Sequence, residues 1–82
     1  MTMRARDVTP RQLAAIRAHL ATGTVKGAAE VLGISPLTVR DLIADARIRV
    51  GVETNEQLVL VLARRGRLSV PRARLAGVTR AV

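Results

Sequence analysis

Short apolar stretches alternate along the chain with clusters of Gly, Pro, Ser and Thr, and this pattern predicts four helices. The first helix is predicted to begin at a capping box, Thr9-Pro10-Arg11-Gln12, in which the Thr and Gln side chains each accept the other residue's amide N–H. Leu13, Ile16 and Leu20 follow at helical spacing, so they are expected to share one apolar face. Gly23 is expected to end the helix.

The next two predicted helices are separated by a short turn. Thr24 is expected to cap the second helix and Gly33 to end it, and its apolar residues are Ala28, Ala29, Val31 and Leu32. Ser35-Pro36 is expected to open the third helix, with Ser as the cap and Pro in the first turn. Gly51 ends it, and its inward face is predicted to carry Val39, Ile43, Ala46 and Val50.

The fourth predicted helix starts at a second capping box, Thr54–Gln57, and runs to Gly66. Its segment 58–63 is apolar on all sides, which is unusual for a surface helix in so small a protein. We therefore expect part of it to pack against a second chain, through Leu58, Leu60, Val61 and Leu62. The alternative is that the protein tolerates a misaligned apolar stripe.

Both ends of the chain are basic. Residues 1–7 include Arg4 and Arg6 and are interpreted as an N-terminal arm, residues 8–68 as the folded domain, and residues 69–82 as a basic C-terminal region. This last region fits two interpretations: a short extra helix capped by Ser69 and ending at Gly77, or a mobile tail.

Composition narrows the class of protein. The chain has 82 residues, 14 basic and 6 acidic, and a net charge of +8, which favours a polyanionic partner such as nucleic acid. A genome that prefers Arg codons is the other explanation, since 13 of the 14 basic residues are Arg. The absence of aromatic residues removes the stacking platforms used by proteins that bind single strands.

Several other classes are disfavoured. Without Cys, and with His19 as its one His, the chain has no evident metal site, and no catalytic constellation or phosphate loop occurs, so we expect neither enzyme activity nor a cofactor. No segment is long and apolar enough to span a membrane, and the N-terminus does not resemble a signal peptide. The expectation is a cytoplasmic protein without a membrane partner.

The stretch AAEVLGISPLTVRDL, residues 28–42, matches the helix-turn-helix pattern of DNA-binding regulators at Ala29, Gly33 and Val39. The wider chain, with TPRQLAAIRAHLATG, KGAAEVLGISPLTVRDLIADARIRVGV and TNEQLVLVLARRGRL, resembles the four-helix DNA-binding domain of the LuxR/GerE type over about residues 8–68. It departs from that family by one residue fewer between Gly23 and Lys26, by Gly27 in place of Glu, and by Leu42 in place of His.

This resemblance implies an all-α domain that binds double-stranded DNA, with the third helix in the major groove and pairing of two copies through the fourth helix. The outward residues near the start of the third helix would then be Leu37, Thr38, Arg40, Asp41 and Ala44. Arg40 is a candidate for a guanine contact or for a phosphate clamp. Ser35 and Thr38 are candidates to donate to phosphate, with helix capping the stronger role for Ser35, while Arg47 and Lys26 are candidates for backbone contacts.

Two acidic residues on the third helix complicate this interpretation. Asp45 is expected to pair with Arg49 one turn later. Asp41 fits three roles: accepting from cytosine N4, disfavouring loose binding by repelling phosphates, or marking a surface that binds protein. The leading expectation is a stand-alone homodimeric transcription regulator. Its rivals are a protein-interaction module that binds another transcription regulator, a σ-factor-like region that touches promoter and RNA polymerase, and a nonspecific DNA-packaging protein.

Overall fold

A computed structural model describes residues 7–68, and within this range the chain forms four helices and no strand. The helices are α1 (Pro10–Thr22), α2 (Val25–Leu32), α3 (Pro36–Val50) and α4 (Asn55–Arg64). The all-α class predicted from the sequence is therefore confirmed for these residues. Residues 1–6 and 69–82 lie outside the described residues, and with them most of the predicted arm and the whole of the predicted tail or extra helix.

The helix starts follow the predicted local chemistry. At α1 the Gln12 amide donates to Thr9 Oγ1 at 3.1 Å, and the Thr9 amide donates to Gln12 Oε1 at 3.0 Å. Thr54 and Gln57 form the same reciprocal pair at α4, with both distances 3.1 Å. Thr24 caps α2 and Ser35 caps α3, as expected. Each cap satisfies amides that the first helical turn leaves without a partner.

The turn between α2 and α3 consists of residues 33–35. Gly33 adopts the left-handed conformation, with φ of 70°, and its amide donates to the Ala29 carbonyl at 2.8 Å. A residue with a Cβ is strained in this conformation, which explains the Gly at this position. The turn lets α3 leave at a new angle while Ala29 and Val39 stay buried in the same core.

The core is built from aliphatic residues on the inner faces of the four helices. Val39, Ile43, Ala46 and Val50 of α3 are all buried, as predicted, and α3 packs against each of the other helices. Alanines are frequent where helices meet: Ala15, Ala18, Ala28, Ala29 and Ala46 are buried. Small side chains let helix axes approach closely, so α1 and α2 hold α3 firmly along its inner face.

The apolar α4 contributes to this core more than the sequence indicated. Leu58 and Leu62 are 1% and 0% exposed, and they are among the largest fully buried side chains of the described residues. The prediction that Leu58 and Leu62 contact a second chain is therefore wrong, because a partner cannot reach them in the folded protein. Leu60 and Val61 are only partly buried, so the predicted interface on α4 is reduced to these two residues.

The described range contains no helix with both the length and the hydropathy that a bilayer span requires.

Candidate nucleic-acid interface

The outward side of α3 brings most of the predicted DNA-contacting residues together. Leu37, Arg40, Asp41, Ala44 and Arg47 line one open hollow on the surface. The other walls come from the ends of the remaining helices: His19 of α1, Val25 of α2 and Asn55 of α4. The five residues predicted from the sequence of the third helix thus lie on one continuous surface, to which all four helices contribute.

Two hydroxyl groups form hydrogen bonds at the N-terminus of α3. Ser35 Oγ accepts the Thr38 amide at 3.1 Å, and the Ser35 and Thr38 hydroxyl oxygens lie 2.8 Å apart. The capping role of Ser35 is confirmed. One of the two hydroxyl hydrogens is used in the bond between them, which leaves the other free to donate to an outside acceptor. Pro36 has no amide hydrogen, so few backbone donors of the first turn remain for an anion.

The two arginines of the hollow differ in how they are held. Arg40 is exposed on the first half of α3. Arg47 is partly buried, and its Nη1 donates to Asn55 Oδ1 at the first residue of α4. Arg47 therefore also connects α3 to α4 through this hydrogen bond, while the exposed Arg40 side chain is accessible to a ligand. Asn55 was not predicted as part of this surface, because its place depends on how α4 packs and not on its local sequence.

The expected pair between Asp45 and Arg49 does not form. Arg49 Nε instead donates to the Asp7 carbonyl at 3.2 Å, so the side chain lies along the core-side edge of α3 toward the N-terminus of the domain. The one salt bridge within residues 7–68 joins Arg67 to Asp7. Asp45 and Asp41 are both exposed, and Asp41 shares the hollow with Arg40. The exposed face of α3 is thus close to charge balance.

Two large apolar side chains also lie on that face. Leu37 is 65% exposed and Ile48 is 76% exposed. Leu37, Asp41, Ala44 and Ile48 follow one another at intervals of four, three and four residues. This spacing places them in one row along α3, on the side opposite its buried residues. Ile48 was missed from the sequence, although this spacing from Leu37 was a usable signal.

Lys26 lies apart from this row. It is the second residue of α2 and is exposed, and its neighbour Val25 lines the hollow. Lys26 therefore does not line the hollow, although the residue before it does.

Comparison of the chain with protein-family models, with curated proteins and with solved structures gave no match.

Proposed function

We propose that this protein is a transcription regulator that binds double-stranded DNA as a homodimer, with α3 as the recognition helix in a helix-turn-helix of the LuxR/GerE type. The observation that carries the proposal is the common surface formed by Leu37, Arg40, Asp41, Ala44 and Arg47 on one exposed side of α3. A net charge of +8 supports a polyanionic partner.

The dimensions of α3 suit this role. Its 15 residues correspond to a length of about 22 Å, and the major groove of B-DNA is wide enough to admit one helix. The inner face of α3 is packed on the other helices, so its outer face can enter the groove without unfolding the domain. A rigid support of this kind lowers the entropic cost of placing side chains against base edges.

The side chains divide into two kinds of contact. Arg40 is the candidate for bidentate binding to guanine, and Leu37 and Ala44 are candidates for apolar contact with thymine methyl groups. Arg47, Lys26 and the Ser35–Thr38 hydroxyl pair are candidates for the phosphate backbone, which positions the helix without specifying a sequence. Asp41, next to Arg40, is suited to accept from cytosine N4 and disfavours contact with phosphates.

Pairing of two copies is proposed through the exposed part of α4. Leu60 and Val61 line a second surface hollow together with Val52, Glu53, Gln57 and Arg64. A two-fold axis across α4 sets the two helices antiparallel, so that Glu53 of one copy approaches Arg64 of the other. Apolar contact at the centre and opposite charges at the ends favour a second copy of the chain as the occupant.

The proposal is tested by titrating the full chain with a fluorescent random-sequence duplex at salt concentrations from 50 to 200 mM. Each phosphate contact steepens the log–log slope of affinity against salt by about 0.9, so six contacts predict a loss of roughly a thousandfold over this range. A single-stranded oligonucleotide of the same length is the control and is expected to bind more weakly, since the chain has no aromatic side chain for base stacking. Absence of duplex binding at 50 mM salt contradicts the proposal.

A second candidate function is a protein-interaction module that binds another transcription regulator or RNA polymerase. The near-balanced charge of the exposed α3 face and the exposed Leu37 and Ile48 favour it. The variant Asp41→Asn distinguishes the two candidates. If α3 enters the groove, loss of this carboxylate raises affinity for random duplex by several fold, because a repulsion of phosphates is removed. If α3 binds protein, affinity for random duplex is unchanged.

A further inference from the structure

The two ends of the described chain lie side by side and are held together by polar contacts. Arg67 Nε lies 2.9 Å from Asp7 Oδ2, and Arg17 Nη2 donates to the Arg67 carbonyl at 3.2 Å. Arg49 Nε donates to the Asp7 carbonyl, also at 3.2 Å. Buried Val8 and Leu68, 4% and 7% exposed, anchor the two ends in the core beside these contacts. We call Asp7, Arg17, Arg49 and Arg67 the chain-end cluster.

The chain-end cluster contains three guanidinium groups and one carboxylate, and only Arg67 contacts that carboxylate. Each guanidinium has five N–H donors, and the contacts above engage one nitrogen of each. The Arg17 side chain is exposed, and the Arg67 and Asp7 side chains are 40% and 45% exposed, so donors remain open to solvent. Arg67 Nε is buried and forms an ion pair with Asp7 Oδ2. The cluster therefore has a net charge of +2 and unused donors.

Most of the net charge of the chain belongs to this cluster and to the sequence before and after residues 7–68. Residues 7–68 contain nine basic and six acidic residues, a net charge of +3, of which the cluster supplies +2. The sequence beyond the two fastened ends has no acidic residue and adds Arg4, Arg6, Arg72, Arg74 and Arg80. All but one unit of the net charge of +8 thus belongs to the cluster and to the segments that continue from it.

We infer that the chain-end cluster is a phosphate-binding surface that holds duplex DNA by its backbone, separately from the hollow on α3. This inference rests on the proposed function. Arg49 follows Arg40 by nine residues on α3, a separation of about 14 Å along the helix axis and about half a turn around it, so the cluster and the hollow lie on different sides of the helix. Base selection belongs to the near-neutral hollow, and most of the sequence-independent affinity belongs to the cluster.

The test compares two double variants of the full chain on random-sequence duplex, with helix content and thermal unfolding checked by circular dichroism. Arg17→Gln/Arg49→Gln removes two charges, and the slope of log affinity against log salt is expected to fall by about 2, with a loss of roughly 10- to 100-fold at 0.1 M salt. Arg17→Lys/Arg49→Lys keeps both charges and is expected to keep the wild-type slope. An equal loss in the Lys variant overturns the inference, because it assigns the effect to the hydrogen bonds that fasten the chain ends.

A second pair of variants changes the charge in the other direction. Asp7→Asn frees Arg67 from its carboxylate and is expected to raise random-duplex affinity several fold. Glu56→Gln makes the same change in net charge on α4, away from the cluster, and is expected to have a smaller effect. Equal effects of the two variants overturn the inference. If the wild-type chain binds duplex and Arg17→Gln/Arg49→Gln has the same salt slope as the wild type, the inference is overturned but the proposed function stands. If the wild-type chain does not bind duplex, both are overturned.

Discussion

At the scale of single residues, the availability of each charged side chain separates the candidates on α3. One nitrogen of Arg49 donates to the Asp7 carbonyl and one nitrogen of Arg47 donates to Asn55, so both side chains are held in place by the fold. Arg40 is exposed beside Asp41 in the hollow. Because a guanidinium that contacts guanine must be free to approach the base edge, Arg40 is the residue on which sequence selectivity is expected to depend most.

We expect Arg40→Ala to reduce affinity for a preferred site by about 1–3 kcal/mol, that is roughly 5- to 150-fold. Affinity for random duplex is expected to change much less, because a base contact is lost and not a phosphate contact. Competition binding with the preferred site and a scrambled duplex measures both values. An equal loss on the two duplexes contradicts the assignment and makes Arg40 a phosphate clamp.

The limits of prediction from sequence are also visible at this scale. The capping residues Thr9, Ser35 and Thr54 were predictable because each cap depends on residues within three positions of it. The partner of Arg49 was not, because Asp7 lies 42 positions away and only the folded chain brings its carbonyl near. An ion pair between Arg49 and the nearby Asp45 would be exposed to solvent and therefore weak. The folded chain forms the contact between Arg49 and the Asp7 carbonyl instead.

At the scale of elements, α2 shows why helix propensity alone misleads. Gly27 lies within α2, where Gly costs about 1 kcal/mol relative to Ala. A Cβ at this position lies 2.8 Å from Thr22 Cβ and 2.9 Å from Thr24 Oγ1, so the end of α1 and the cap of α2 leave no room for it. Gly27 is thus a requirement of the short α1–α2 connection.

We therefore expect Gly27→Ala to lower the melting temperature, although the same change at an open helical position raises stability. A net loss of about 1 kcal/mol corresponds to roughly 4–8 °C in a domain of this size. Glu30→Ala, an exposed change on the same helix, is the control and is expected to shift stability by less than about 0.5 kcal/mol. A melting temperature raised by Gly27→Ala contradicts the packing described for this connection.

The faces of α3 and α4 differ in how well the sequence predicts them. On α3 a clear helical period separates the buried Val39 and Ile43 from the exposed Leu37 and Arg40. Segment 58–63 of α4 has no such period, because nearly every position is apolar, so the sequence does not tell which side faces the core. Packing against α3 makes that choice, and it buries Leu58 and Leu62.

At the scale of the whole molecule, the exposed apolar residues of α4 bear on the oligomeric state. We expect the wild-type chain to sediment as a dimer and Leu60→Glu to sediment as a monomer, because a carboxylate at the centre of the proposed interface is buried without a partner. Val31→Glu is the matched control, since Val31 is 67% exposed on α2 and the change in charge is the same. A wild-type chain that sediments as a monomer at high concentration contradicts pairing through α4.

The net positive charge is divided unevenly between the two surfaces that we propose to contact DNA. Most of the net positive charge belongs to the chain-end cluster and to the sequence that continues from it, while the hollow on α3 contains Arg40, Arg47 and Asp41, a net charge of +1. A recognition surface that is nearly neutral gains little from loose binding to random DNA. In the proposed complex with DNA, its contribution to affinity therefore depends on correct base contacts.

Selective binding of duplex DNA by a two-fold dimer can be measured by selecting bound sequences from a random duplex pool. Two copies related by a two-fold axis place two α3 helices on related half-sites, so we expect enrichment of an inverted repeat. The half-site spacing is expected near one helical turn or a multiple of it. A bound pool with the same base composition and pattern as the input pool contradicts selective binding by such a dimer.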